Sequence, residues 1–240
     1  MKVLKIVGWV RYKFNKKNLM KIIILIPVYN DFQSASKLIE DINSVISNLN
    51  HEFSIIIIND ASTDKSEIEI SSTDKIKSIK IIKMNENKGH ARCNASGLKY
   101  IFENEEFDYI IPMDGDGEDR PEEIEKFVEF LKYDNTKPIV GERIKRSEGF
   151  IFTLSYNIHK LITYIFTGQS IKFGNYTCLP KATVEKMINE KATWSSFSGS
   201  LAKVEKNRST IPSIRGSRYF GPSKMSFFNL IKHSLSIIAV

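Results

Sequence analysis

The residues best equipped for chemistry lie in one short stretch, Met113-Asp114-Gly115-Asp116-Gly117-Glu118-Asp119-Arg120-Pro121-Glu122-Glu123. Four carboxylates fall within six residues, and like charges so close repel unless something positive sits among them. Crowded oxygen donors suit a hard divalent cation. In an extended backbone Asp114, Asp116 and Glu118 project to one side, which makes them candidate metal ligands, while the glycines let the chain bend around an ion. The same stretch also reads as an acidic turn capping a helix, with Pro121 in the first helical turn and Glu122 and Glu123 near the N-terminus.

Three further polar clusters follow apolar runs: Pro27-Val28-Tyr29-Asn30-Asp31, Asn59-Asp60-Ala61-Ser62-Thr63-Asp64, and Asn87-Lys88-Gly89-His90-Ala91-Arg92-Cys93-Asn94. Asp60 could accept from a nucleobase N–H and Asp64 from Lys88 or Arg92; both residues serve equally as turn and cap residues. Lys88 and Arg92 flank a helix start beside Gly89, where backbone N–H groups and cations could meet a diphosphate, or they lie on a solvated helix face. His90 reads as a packing or surface histidine rather than an acid or base.

The elements that must position these clusters alternate. Continuous apolar runs at 21–27 and 53–58 have the pattern of strands buried on both faces, and further strands are expected at 79–84, 109–113 and 138–140. Helical spacing marks 34–49, and another helix opens at the Lys88 cluster and runs to about Phe102. Strands alternating with helices imply an α/β fold with a parallel sheet, and ligands of such sheets bind beyond the carboxyl ends of the strands, where all four clusters fall. Gly141-Glu142-Arg143-Ile144-Lys145-Arg146 reads as a basic loop or a phosphate-facing set of cations. Residues 150–166 form an aromatic-rich amphipathic helix whose apolar side meets either lipid or the core.

At 240 residues there is ample core without staples. Lysines and arginines number 35 against 28 acids, a formal net charge of +7 that suits an anionic partner. Cys93 and Cys178 form no disulfide framework, which points to a reducing compartment. No signal peptide and no membrane span are expected, since the longest apolar runs are strand length. A nucleic-acid partner is not expected, because no strand interleaves aromatic and basic residues.

The four clusters, in this order and spacing, resemble family 2 glycosyltransferases with the GT-A fold, a Rossmann-like, mostly parallel sheet flanked by helices. The resemblance covers the first 145 residues strongly. It implies a nucleoside diphosphate sugar, UDP- or GDP-linked, with Pro27, Tyr29, Asn30, Asp60, Lys88, Gly89, Arg92 and Asp114 at the nucleotide sugar. It also implies Mg²⁺ or Mn²⁺ at Asp114, Asp116 and Glu118. Two later segments, Phe173 to Lys181 and Arg218-Tyr219-Phe220-Gly221-Pro222-Ser223-Lys224, resemble the polyprenyl-phosphate branch, similar to dolichyl-phosphate mannose synthase. By that likeness Arg143, Arg146, Ser155, Arg218, Ser223 and Lys224 would meet the acceptor, and Asp116, Asp119, Arg218 and Lys224 would carry catalysis. The chain departs from that branch in Glu118, where glutamine is usual, and Ile151, where arginine is common.

The expected arrangement is a basic extension over 1–20, a glycosyltransferase domain over 21–225 (nucleotide part 21–145, acceptor part 146–225) and a juxtamembrane amphipathic helix over 226–240. The expected activity is metal-dependent, inverting transfer of a sugar to a membrane lipid, a polyprenyl phosphate, at the cytoplasmic face of the cell membrane. The family's usual place for a general base, near 194–201, holds serines and no acid lies between Glu190 and Glu205. An already ionised phosphate needs no base, whereas a hydroxyl acceptor would need one, with Asp119 as the candidate. Two alternatives stand: transfer to a hydroxyl of a lipid-linked or capsular glycan, and a non-catalytic GT-A-like protein that binds membranes or nucleic acid.

Overall fold

A computed structural model describes residues 19–64, 67–69, 73–145 and 171–221. Arg146, Ser155, Ser223, Lys224, nearly all of the basic extension and both expected amphipathic helices lie outside them.

The elements run β1 (Lys21–Val28), α1 (Phe32–Ile46), β2 (Glu52–Asn59), β3 (Ile76–Lys83), α2 (His90–Asn104), β4 (Tyr109–Pro112), α3 (Glu123–Phe130), β5 (Ile139–Lys145), β6 (Phe173–Pro180), α4 (Lys181–Asn189), a 3₁₀ turn (Lys191–Trp194), α5 (Phe197–Val204) and β7 (Ser209–Ile214). The seven strands lie in the order β3-β2-β1-β4-β6-β5-β7. Strands β3, β2, β1 and β4 are mutually parallel; β6 runs antiparallel to both β4 and β5, and β7 is parallel to β5.

The isoleucine-rich strands explain the layering. Along β1, Ile22, Ile24, Ile26 and Val28 pack on one face with Leu38, Ile39 and Ile42 of α1 and Ile124 and Phe127 of α3. Ile23 and Leu25 pack on the other with Leu98 and Ile101 of α2 and Val184 of α4. Side-chain alternation thus feeds two cores, and each buried isoleucine stabilises by roughly 1.5–3 kcal/mol relative to exposure. Gly97 lets α2 press onto β1, since a Cβ there would meet Leu25 Cδ1 at 2.4 Å. Both cysteines are buried and unpaired, and burial pushes both thiols up.

The expected strands are present with shifted ends, and the third begins at Ile76 because that side chain is buried opposite Phe53. On this edge strand Lys77, Lys80 and Lys83 discourage pairing with another chain. Residues 141–145 do not form a basic loop, one of the two readings of this stretch. They extend β5, held between β6 and β7, where pairing partners outweigh the polar pattern. Strand β7 was not expected from Ser-Thr-Ile-Pro-Ser-Ile; it lies at the sheet edge, where Pro212 is tolerated.

Candidate active site

Strand β1 has β2 on one side and β4 on the other, so the chain's direction of travel across the sheet reverses there. A crevice opens at such a switch point beyond the carboxyl ends of the strands. Asp31 follows β1 and Asp114, Asp116, Glu118 and Asp119 follow β4, which brings all five carboxylates to this edge.

The carboxylates are not gathered around one point. The backbone turns at Gly115 and Asp116 rather than extending, so the alternation does not align Asp114, Asp116 and Glu118. Among the described residues no group of three or more histidine, cysteine, aspartate or glutamate side chains is arranged to hold a metal ion. Asp114, Asp116 and Glu118 each have a separate side-chain partner instead. Asp114 Oδ1 lies 2.9 Å from His90 Nε2, Asp116 pairs with Arg218, and Glu118 pairs with Arg215. Arg218 also donates through Nη2 to Asp31 Oδ2 at 2.9 Å.

The segment that carries these arginines straps the carboxylate loop. Gly216 N–H donates to the Glu118 carbonyl at 2.8 Å and Tyr219 N–H to the Asp116 carbonyl at 2.9 Å. The Tyr219 hydroxyl donates to Asp41 Oδ2 at 2.7 Å, and its ring lies against Gly117, whose φ of +87° favours glycine. A Cβ on Gly117 would come within 2.6 Å of that ring.

Charge states follow from burial and neighbours. Asp119 is buried, accepts the Asp114 N–H at 2.9 Å, and is held well above the usual carboxylate range by desolvation and then by the Asp114 charge. Burial also raises Asp116, as does the Asp114 charge, against the pull of Arg218. Burial pushes Asp114 the same way, but His90, Arg143 and Asn175 outweigh it and hold the carboxyl low. Burial opposes a charged His90, yet Asp114 raises its pKa.

The nucleotide-side residues are mostly engaged with one another. Asp60 accepts Lys88 N–H and Gly89 N–H, each at 2.8 Å, so its two oxygens fix the loop before α2 instead of standing open to a base, and those N–H groups are not free for a diphosphate. Asn30 Oδ1 accepts Thr63 N–H at 2.8 Å and Asp64 N–H at 3.2 Å, tying the loop after β1 to the loop after β2. Asp64 therefore meets Asn30 through its backbone. Pro27 is buried within β1 and does not border open space, whereas Tyr29 is exposed. Lys88 pairs with Glu86, and exposed Arg92 lies on the same helix start. Arg143, on β5, bears on both Asp114 and Asp119. A cleft of about 540 Å³ runs beside Asn30, Asp31, Asp64 and Phe220.

Around α5 two of the serines, Ser196 and Ser200, are structural. Ser196 Oγ accepts Gly199 N–H at 3.2 Å, and Ser200 Oγ lies 2.6 Å from Thr193 Oγ1.

The model for glycosyl transferase family 2 matches residues 23–193. The chain belongs to that family. Among curated relatives, the undecaprenyl-phosphate 4-deoxy-4-formamido-L-arabinose transferase of Salmonella choleraesuis (strain SC-B67) is 30% identical over 225 residues, 91% of this chain and 66% of its own length. The chain thus spans just under two thirds of that relative. Among solved structures, glucosyl-3-phosphoglycerate synthase from Mycobacterium tuberculosis, in complex with Mn²⁺, UDP-glucose and phosphoglyceric acid, has a TM-score of 0.65 at 13% identity, covering 92% of this chain and 78% of that one. A mannosyltransferase from Pyrobaculum calidifontis, in complex with GDP-Man and Mn²⁺, has a TM-score of 0.56 at 13% identity, over 92% and 70%. These likenesses show the GT-A fold.

Within this family 2 domain, sequence reasoning missed Asp31 as part of the carboxylate set, Arg215 as a partner of Glu118, and His90 and Asn175 beside Asp114. The one cue to His90 was its place as the first residue of α2, just after Lys88 and Gly89.

Proposed function

We propose that this chain moves a sugar from a nucleoside diphosphate sugar to the phosphate of a membrane lipid, a polyprenyl phosphate, with Mg²⁺ or Mn²⁺. The observation that carries the reading is the lack of an acid where the family usually places its base, beside an edge rich in cations. Residues 191–204 hold no acid, and Ser196 and Ser200 there are spent on helix capping and on Thr193. Asp119 is buried and accepts the Asp114 N–H, so it is committed to holding the loop rather than standing open to a hydroxyl. A phosphate acceptor arrives ionised.

The donor set fits a hard cation. Asp114 and Asp116 supply oxygen only, and such ions in nucleotide enzymes take one or two carboxylates and complete their shell with phosphate and water. The arginines on Asp116 and Glu118 support the same reading, because the loop carries a positive charge at each. When bound, the ion neutralises charge on the departing diphosphate. Asp114 and Asp116 would hold it, Asp116 giving up Arg218 to the phosphates, while Glu118 would stay with Arg215. Arg218, with its Nε buried and unpartnered among the described residues, and Arg143 would stabilise phosphate charge at the same edge.

Among the described residues no helix is long and apolar enough to cross a membrane. The reading places the domain on the cytoplasmic face through its basic extension and C-terminal segment. Release of nucleoside diphosphate from UDP- and GDP-sugars, measured with and without polyprenyl phosphate, tests the assignment. Acceptor-dependent release is expected, and release indifferent to the lipid would sink it.

A further inference from the structure

His90 and Asn175 come from distant parts of the chain, the first residue of α2 and the middle of β6, and converge on one oxygen of Asp114. His90 Nε2 lies 2.9 Å from Asp114 Oδ1, and Asn175 Nδ2 lies 3.4 Å from the same oxygen. Asn175 Nδ2 is also 3.4 Å from His90 Nδ1. An amide nitrogen only donates, so His90 Nδ1 accepts and the ring proton sits on Nε2, facing Asp114. Asn94 completes the ring's setting. Its Nδ2 stands 3.4 Å from Nε2 while its Oδ1 is buried with no partner among the described residues. Turning that amide over brings Oδ1 towards the Nε2 proton and removes the orphan.

Every donor among the described residues that reaches the Asp114 carboxylate therefore goes to Oδ1, and none reaches Oδ2. The backbone beneath is fixed as well, through Asp114 N–H to Asp119. We propose that His90 and Asn175 are a positioning pair, which engages Oδ1 so that Oδ2 of Asp114 is presented to the cation of the donor complex. The inference rests on the metal-dependent reading above. Hydrogen-bonded partners of a ligating carboxylate set its orientation, and their loss weakens metal affinity by about 10–100-fold.

The test is Mn²⁺ binding followed by electron paramagnetic resonance of the free ion, in saturating UDP and separately in saturating GDP, with thermal unfolding recorded for each protein. His90→Ala and Asn175→Ala should each weaken Mn²⁺ binding by about 10–100-fold. His90→Gln, which restores an N–H donor from the same helical position, should recover most of the loss. Wild-type affinity in folded His90→Ala overturns the proposal, as does a His90→Gln protein no better than His90→Ala. If the wild-type protein binds no Mn²⁺ with either nucleotide, the metal reading falls and this inference with it. Strong wild-type binding with unaffected variants removes the positioning pair alone.

Discussion

Arg218 and Asp116 stand 102 positions apart in the chain and form an ion pair at the carboxyl edge of the sheet, with Asp31 on the second guanidinium nitrogen of the same arginine. One cation thus joins the ends of β1 and β4 across the switch point and seats the strap formed by 215–219. Under the proposed function its charge would serve the carboxylates first and phosphate once the donor complex is bound.

Arg218→Ala should lower kcat/KM for the lipid acceptor by about a hundredfold, the scale of losing one charge-stabilising donor. Affinity for nucleoside diphosphate should change far less. Steady-state kinetics beside calorimetric nucleotide titration checks this, and a loss confined to the nucleotide would misplace the segment.

Gly117→Ala places a side chain at φ +87° and against the Tyr219 ring. Destabilisation of about 1–3 kcal/mol is expected from the strain. Limited proteolysis should also cut more readily within 215–221. Chemical denaturation and mapping of the cleavage sites measure the two effects separately.

Asp60→Ala leaves the Lys88 and Gly89 N–H groups without their acceptor. The protein should lose about 1.5–3 kcal/mol even with no nucleotide present, the scale of a hydrogen bond to a charged group. If Asp60 acted only on the base, the unliganded melting temperature would not move.

Much of the fold was legible because isoleucine runs buried on both faces leave little choice of element. Strands β1, β2 and β4 and helices α1 and α2 follow from such runs or from helical spacing. Strand β7 and the extension of β5 were hidden, since polar residues there are held by neighbours distant in sequence. The site was legible in composition and not in geometry. Asp114 and Asp116 are in place, but the turn at Gly115 breaks the one-sided alternation, and Arg215 reaches Glu118 from 97 positions away. His90 looked inert because a single histidine carries no spacing signal, and Asp114 becomes its neighbour only when α2 packs across β1 and β2.

Basic residues of the extension and the C-terminal segment should draw the full chain to anionic membranes, each contributing about 1 kcal/mol near the surface. Flotation with anionic vesicles should weaken as salt rises and on deletion of 226–240. Protein left at the bottom of the gradient with every lipid mixture would remove the membrane from the proposal.

The central claim, that the acceptor is an ionised phosphate needing no base, is tested most directly with a matched pair of lipids, a polyprenyl phosphate and the polyprenol of the same chain length, each supplied with the labelled nucleotide sugar and Mn²⁺. Label should enter the organic phase with the phosphate only, and Asp116→Asn or excess EDTA should abolish it. Equal labelling of the polyprenol, or full labelling of the phosphate in EDTA, would contradict the account.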